Sequence, residues 1–137
     1  MTKISWLSVE SIQALHGVVI DDYGGDASMR DERRLDAAVA RPRQQLAYGE
    51  KSLYKLAATY AGGIVQGHPF VDGNKRTGFM AAAAFLELNG RTFEAREVEV
   101  VIQTLGLAAG EVTEARYAEW LEKSSRPAAP KPKKRRK

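Results

Sequence analysis

Apolar residues recur at helical spacing along most of the chain. Val9, Ile12, His16, Val19 and Tyr23 follow at steps of three, four, three and four, one stripe of an amphipathic helix. Ser8 is placed to cap it, Glu10 sits favourably in its first turn, and Gly24-Gly25-Asp26 ends it. Asp31 can cap a second helix through Leu35, Ala38 and Val39, which Pro42 helps to terminate. Between Arg43 and Lys51 the period weakens, and a loop or short hairpin is expected there. Leu53, Leu56, Ala57, Tyr60, Ala61, Ile64 and Val65 restore the period. From Gly78 to Leu86 the chain is apolar on nearly every face, which predicts the central helix of its domain. Asn89-Gly90 is a left-handed stop. Val98, Val101, Ile102 and Leu105 mark a further helix ending at Gly110, and Thr113 can cap a last one with Tyr117, Trp120 and Leu121 turned inward. No alternating strand pattern of any length appears. The expected fold class is all-α: a compact helical bundle with a short flap or hairpin.

Composition narrows this to one domain of 137 residues, large enough to bury a core without staples. With no cysteine there is no disulfide framework and no thiolate metal site. The N-terminus lacks a basic-then-apolar signal pattern, and the run from Phe79 to Leu86 is far short of the ~20 residues a membrane helix needs. The chain reads as soluble and cytoplasmic, with no membrane partner. The net charge of +4 suggests nucleic acid, but seven of the 21 Lys and Arg fall between Arg126 and Lys137. Residues 1–125 keep 14 basic groups against all 17 acidic ones, so the body is mildly acidic. From Ser124 the sequence SSRPAAPKPKKRRK is proline-rich, cationic and without a large apolar residue. We expect a domain over residues 1–123 and a disordered basic tail over 124–137.

The chemistry is concentrated in His68-Pro-Phe-Val-Asp-Gly-Asn-Lys-Arg-Thr77, a turn-like segment leading into the apolar helix. Histidine is the side chain suited to accept a proton from a hydroxyl near neutral pH, which makes His68 a candidate base. Asp72 offers a hard oxygen ligand for magnesium, which commonly takes one or two carboxylates plus phosphate oxygens. Gly73 allows a tight turn, and the amides from Gly73 to Arg76 then sit unpaired at a helix start, an anion site. Lys75 adds a point charge and Arg76 a planar fork for two phosphate oxygens. Taken singly, each residue suits an ordinary solvated turn; together, between an amphipathic and a buried helix, they point to phosphate handling. The segment is not a P-loop: Gly67 and Gly73 are one residue too far apart, Asn74 precedes the lysine, and a helix leads in rather than a strand.

HPFVDGNKR resembles the signature of the Fic/Doc family, H-x-F-x-[D/E]-G-N-[G/K]-R. Its death-on-curing (Doc) branch is further resembled at Trp6-Leu7-Ser8, Tyr23-Gly24-Gly25, Arg30-Asp31, Ala40-Arg41-Pro42 and Phe85-Leu-Glu-Leu-Asn-Gly90. The resemblance covers roughly residues 4–122. It implies a helical bundle, ATP and Mg²⁺, and modification of a protein hydroxyl. His68 matches the family's catalytic base, Phe70 its buried anchor orienting the loop, and Asp72 its magnesium ligand. Gly73, Asn74, Lys75 and Arg76 match its phosphate-binding loop. AMP-transferring members have glycine in place of Lys75, which leaves room for a diphosphate, and usually an arginine in place of Phe79. The Doc branch shares both departures. It binds ATP in the reversed sense and phosphorylates a threonine of elongation factor Tu, halting translation. The resemblance therefore implies the toxin of a type II toxin–antitoxin pair, a kinase acting on a Thr or Ser hydroxyl. An AMP transferase is the alternative.

Other residues have plainer readings. His16 lies on an apolar stripe and is expected to pack or line a groove rather than to act in catalysis. Arg43 to Lys51 matches the position of a family flap that aligns the target, or is a plain connector. Tyr117 and Trp120 are expected in the core. No glutamate is followed by Gly or Asn, so the family's self-inhibitory [S/T]-x-x-x-E-[G/N] motif is missing from this sequence. Restraint would then come from a separate Phd-like antitoxin docking helically in a hydrophobic groove. The tail is a solvated terminus, a ribosomal RNA or DNA contact working through counterion release, or, in a eukaryotic host, a nuclear import signal. A catalytically silent module acting through that tail is the third functional reading.

Overall fold

The structure, a computed structural model, describes residues 3–128. In chain order the elements are α1 (Val9–Tyr23), α2 (Glu32–Ala47), α3 (Leu53–Gly67), α4 (Asn74–Leu88), β1 (Arg91–Phe93), α5 (Glu97–Ala109), α6 (Glu114–Lys123) and β2 (Ser125–Pro127). The helices start where the polar caps predict. Ser8 and Ser11 exchange side-chain and backbone bonds as a capping box. Asp31 accepts from the N–H groups of Arg33 and Arg34, and Thr113 from that of Arg116.

The central helix is α3 rather than the apolar α4. Nine α3 residues are buried, and it packs against α2, α4, α5 and α6. Its small residues explain this. A Cβ on Gly63 would come within 2.9 Å of the Ala38 Cβ, so α2 can lie close only because the side chain is missing. Over Gly62 passes the Glu114 carboxylate, which takes a two-pronged bond from Arg41, Nη2···Oε1 2.9 Å and Nη1···Oε2 3.1 Å. That pair ties α2 to α6 across α3. The apolar α4 has one open side: Lys75, Arg76, Glu87 and Leu88 are exposed and Phe79 and Met80 half-buried.

Two expectations about the second helix are corrected. Pro42 does not end it; the proline is buried within α2, which runs on to Ala47. An interior proline costs about 3 kcal/mol in an isolated helix, but here it packs inward, and Gln45 beyond it accepts from the Thr59 hydroxyl at 2.6 Å. Tertiary contact with α3 outweighs the local preference. The expected hairpin between Arg43 and Lys51 is therefore mostly helix, followed by a short turn with Tyr48 exposed.

The small antiparallel pair lies elsewhere: β1 and β2 pair Arg91 with Pro127, Thr92 with Arg126 and Phe93 with Ser125. Three residues a strand are too few to show alternation. Arg126 Nη2 donates to Glu94 Oε1 at 2.7 Å, and the Ser125 hydroxyl to the Leu121 carbonyl at 2.7 Å. The first residues of the expected tail thus belong to the fold; positions 129–137 lie outside the described residues. No helix among the described residues is long and apolar enough to cross a membrane.

Candidate active site

The loop between α3 and α4 is held from three sides. His68 caps α3 in the left-handed region (φ 51, ψ 56), the single non-glycine residue with positive φ among those described. Such a conformation persists only when its surroundings fix it. The α1–α2 connector supplies one support: the N–H groups of Arg30 and Asp31 donate to the Pro69 carbonyl (2.7 and 2.9 Å), and Val71 N–H donates to Ser28 O (3.1 Å). Phe70 is the second. It is buried, with its ring stacked on that of His16 at 3.7 Å and 6°. Asn74 is the third: its Oδ1 accepts from Phe70 N–H (3.1 Å) and its Nδ2 donates to Phe70 O (2.8 Å).

Both Phe70 and Asn74 are brought to the site, where the Phe70 ring packs on His16 and the Asn74 amide bonds to the loop. Asn74 contributes its backbone N–H to the start of α4 and its buried amide to the loop. The same amide nitrogen lies 3.4 Å from His68 Nδ1. With Asn74 oriented by Phe70, the amide nitrogen is the donor in this contact and Nδ1 the acceptor. His68 itself is half-buried and lines the depression beside the loop.

Asp72 is anchored twice. Its carbonyl accepts from His16 Nε2 at 2.7 Å, which places a proton on that nitrogen, and its Oδ2 accepts from Asp26 N–H at 2.8 Å. Oδ1 takes no hydrogen bond from the described residues, so one carboxylate oxygen is left for a cation. Asp26 in turn is bonded by Ser28, side chain first and backbone N–H second, which holds its carboxyl below the ordinary carboxylate range. Gly73 (φ 82) turns the chain into α4; a Cβ there would press on Val19 Cγ1 at 3.2 Å, in a backbone region side chains avoid.

No side chain caps α4, and its first ladder bond runs from Thr77 N–H to Gly73 O. The N–H groups of Asn74, Lys75 and Arg76 precede it, unpaired within the helix. Neither Lys75 nor Arg76 forms an ion pair among the described residues. These groups, His68 and Asp72 line one depression of about 510 Å³. Open amides, two cations and one carboxylate suit a polyphosphate carrying magnesium. No cluster of three or more acidic, His or Cys side chains competes for a metal among the described residues.

Beyond Arg76 the depression gives way to a larger apolar groove of about 1020 Å³, floored by Phe79, Met80, Phe93, Val100, Val101 and Leu105. Phe79 packs edge-on against Phe93 at 5.5 Å, so its side chain belongs to the groove and not to the depression. Tyr117 and Trp120 are buried beneath, as expected, with the Tyr117 hydroxyl 2.9 Å from that of Thr104.

Some site residues were not legible as such. Tyr23 looked like the last apolar residue of a stripe, yet it is exposed and Arg76 lies over its ring at 3.6 Å. Gly25 and Asp26 looked like a helix stop, yet a Cβ on Gly25 would meet the Asp72 Cβ at 3.1 Å. The available signal was the Gly-Gly pair directly after an aromatic residue. His16 packs rather than reacts, and its packing fixes the loop.

Residues 6–86, which include α1 to α3 and the loop that opens α4, match the Fic/DOC family. The chain belongs to it. Over 117 residues it is 37% identical to "Protein kinase doc" of Escherichia phage P1, covering 84% of this chain and 91% of that protein. Over 71 residues it is 45% identical to "Toxin Doc" of Mycolicibacterium smegmatis (strain ATCC 700084 / mc(2)155), covering 50% of this chain and 54% of that one.

Proposed function

We propose that this protein is a Doc-type toxin kinase of a type II toxin–antitoxin system. It acts in the cytoplasm, transfers the γ-phosphate of ATP to a Thr or Ser hydroxyl of elongation factor Tu, and so halts translation. The observation that carries the reading is the single depression holding His68, the open carboxylate oxygen of Asp72 and the uncapped, doubly cationic start of α4. Similarity to a relative named as a kinase, over most of both chains, supports it.

In this mechanism the substrate hydroxyl attacks the γ-phosphorus in line as its proton passes to His68. A new O–P bond forms, the bridging P–O bond breaks, and ADP leaves. His68 is half-buried and lines the depression, so a hydroxyl bound there can meet its ring. Lys75, Arg76 and the open amides stabilise charge on the equatorial oxygens. Magnesium, when bound through Asp72, neutralises further phosphate charge. Lys75 fills the space a second phosphate needs along the loop, and Phe79 withholds a further phosphate contact. Both favour γ-phosphoryl over AMP transfer.

The apolar groove is assigned to a Phd-like antitoxin, whose amphipathic segment would cover the exposed Val101 and Leu105 that line it. The test of the transfer is to incubate the protein with a bacterial lysate and ATP labelled at either the α- or the γ-phosphorus. γ-label in a protein band is expected. α-label would establish the AMP transferase instead, and neither label would favour a silent module acting through the basic tail.

A further inference from the structure

We propose that Tyr23 is a positioning residue for phosphate transfer: its ring holds the Arg76 guanidinium beside the phosphate depression, with no carboxylate among the described residues engaging its N–H groups. The inference deepens the kinase reading and rests on it. Arg76 lies with its guanidinium carbon 3.6 Å from the Tyr23 ring centroid, and the two residues line the same depression. Arginine has a long, rotamer-rich side chain, so a guanidinium without a partner is spread over many positions. Here no carboxylate among the described residues fixes it. A carboxylate partner would consume the donors that phosphate needs. An aromatic face restrains the cation without doing so, because the five N–H groups lie in the guanidinium plane and the ring contacts its flat side.

Tyr23 is itself well placed for this. It is the last residue of α1, and the chain is turned behind it by Gly24 (φ 81) and Gly25 (φ 115), with Gly24 N–H closing on Ile20 O at 2.8 Å. Three residues later the same turn delivers Asp26 N–H to the Asp72 carboxylate. One turn therefore holds both charged sides of the loop, Arg76 through a ring and Asp72 through an amide. Tyr23 is 59% exposed, so packing does not account for its aromatic side chain.

The test compares the full-length protein with Tyr23→Phe, Tyr23→Leu, Arg76→Ala and the Tyr23→Leu/Arg76→Ala double variant. Two readouts are used: the chemical shift of the Arg76 Nε–H, which the ring current displaces without any nucleotide, and the Kd for ATP with magnesium. Tyr23→Phe should keep both, because the face and not the hydroxyl acts. Tyr23→Leu should lose the ring-current shift and weaken ATP by about two- to five-fold, the effect of an exposed cation–π contact. In the Arg76→Ala background Tyr23→Leu should add nothing. An unshifted Arg76 Nε–H in the wild type would overturn the proposal. So would an ATP Kd unaffected by Tyr23→Leu, equal losses for Phe and Leu, or additive losses in the double variant. A shifted Arg76 in a wild-type protein that binds no ATP would overturn the kinase reading, and this proposal with it.

Discussion

The loop between α3 and α4 and the apolar groove share Lys75 and Arg76 at their border, yet they are built in opposite ways. In the loop, Phe70, Asp72 and Asn74 are each held by bonds to a named partner, and even the left-handed His68 is enforced by its neighbours. At the groove, α5 turns Val101 and Leu105 to solvent, 43% and 50% exposed, with Val98 and Ile102 exposed beside it, and buries only Thr104 and Leu107. A site that moves a phosphoryl group has to be in place before its substrate arrives. A surface that receives a partner can leave its apolar area uncovered until then.

Substitutions can break this contrast, beginning with the loop. His68→Ala should lower phosphate transfer by about 10²–10⁴, the usual worth of a general base, while thermal unfolding is little changed. Labelled transfer by the purified variant measures it; an undiminished rate would remove His68 from the chemistry. Asn74→Ala comes next. It leaves both polar groups of the buried Phe70 backbone without their partner, at a cost of about 1–3 kcal/mol for each group left unpaired, read by urea unfolding. If stability does not fall, the loop is not held as described.

The groove floor offers a pH test of comparable size. Burial pushes the Tyr117 hydroxyl up from 10.0 to about 12, only partly offset by its bond to Thr104. The unfolded chain releases this proton near its ordinary pKa and the folded chain near 12. The resulting stability is complete below pH ~10 and is lost as pH rises through the folded value, about 2–3 kcal/mol in all. Unfolding followed through this window should be steeper in the wild type than in Tyr117→Phe, the slope that remains coming from Tyr60, which burial also pushes up. The smallest effect on the protein itself is expected at the exposed α5 stripe. Leu105→Asp, at an exposed position lining the groove, should leave stability within about 0.5 kcal/mol, yet abolish neutralisation by a co-expressed antitoxin. Lost stability would mean that the stripe already has an intramolecular partner.

Much of this was legible because its physics is local. Ser8, Asp31 and Thr113 cap helices as their side chains allow, and the helical period of Leu53 to Val65 shows a buried helix. The loop motif could be read residue by residue, since a base, a carboxylate, a glycine and two cations rarely adjoin for structural reasons. What escaped the sequence depends on distant partners. Pro42 stays helical because α3 covers it, and β1 and β2 find each other across more than thirty residues. The period of α5 marked a helix without showing that its apolar face points outward. That the Asn74 amide is bonded to the Phe70 backbone is not visible in the sequence, and nothing local to Tyr23 connects it with Arg76.

The central claim is transfer of a single phosphoryl group that depends on His68. It is tested most directly by incubating purified elongation factor Tu with magnesium, ATP and either the wild-type protein or His68→Ala, then weighing the intact factor by mass spectrometry. The account predicts the mass of one phosphate on a Thr or Ser with the wild type and almost none with His68→Ala. The mass of an AMP group, or equal phosphate with both proteins, would contradict it.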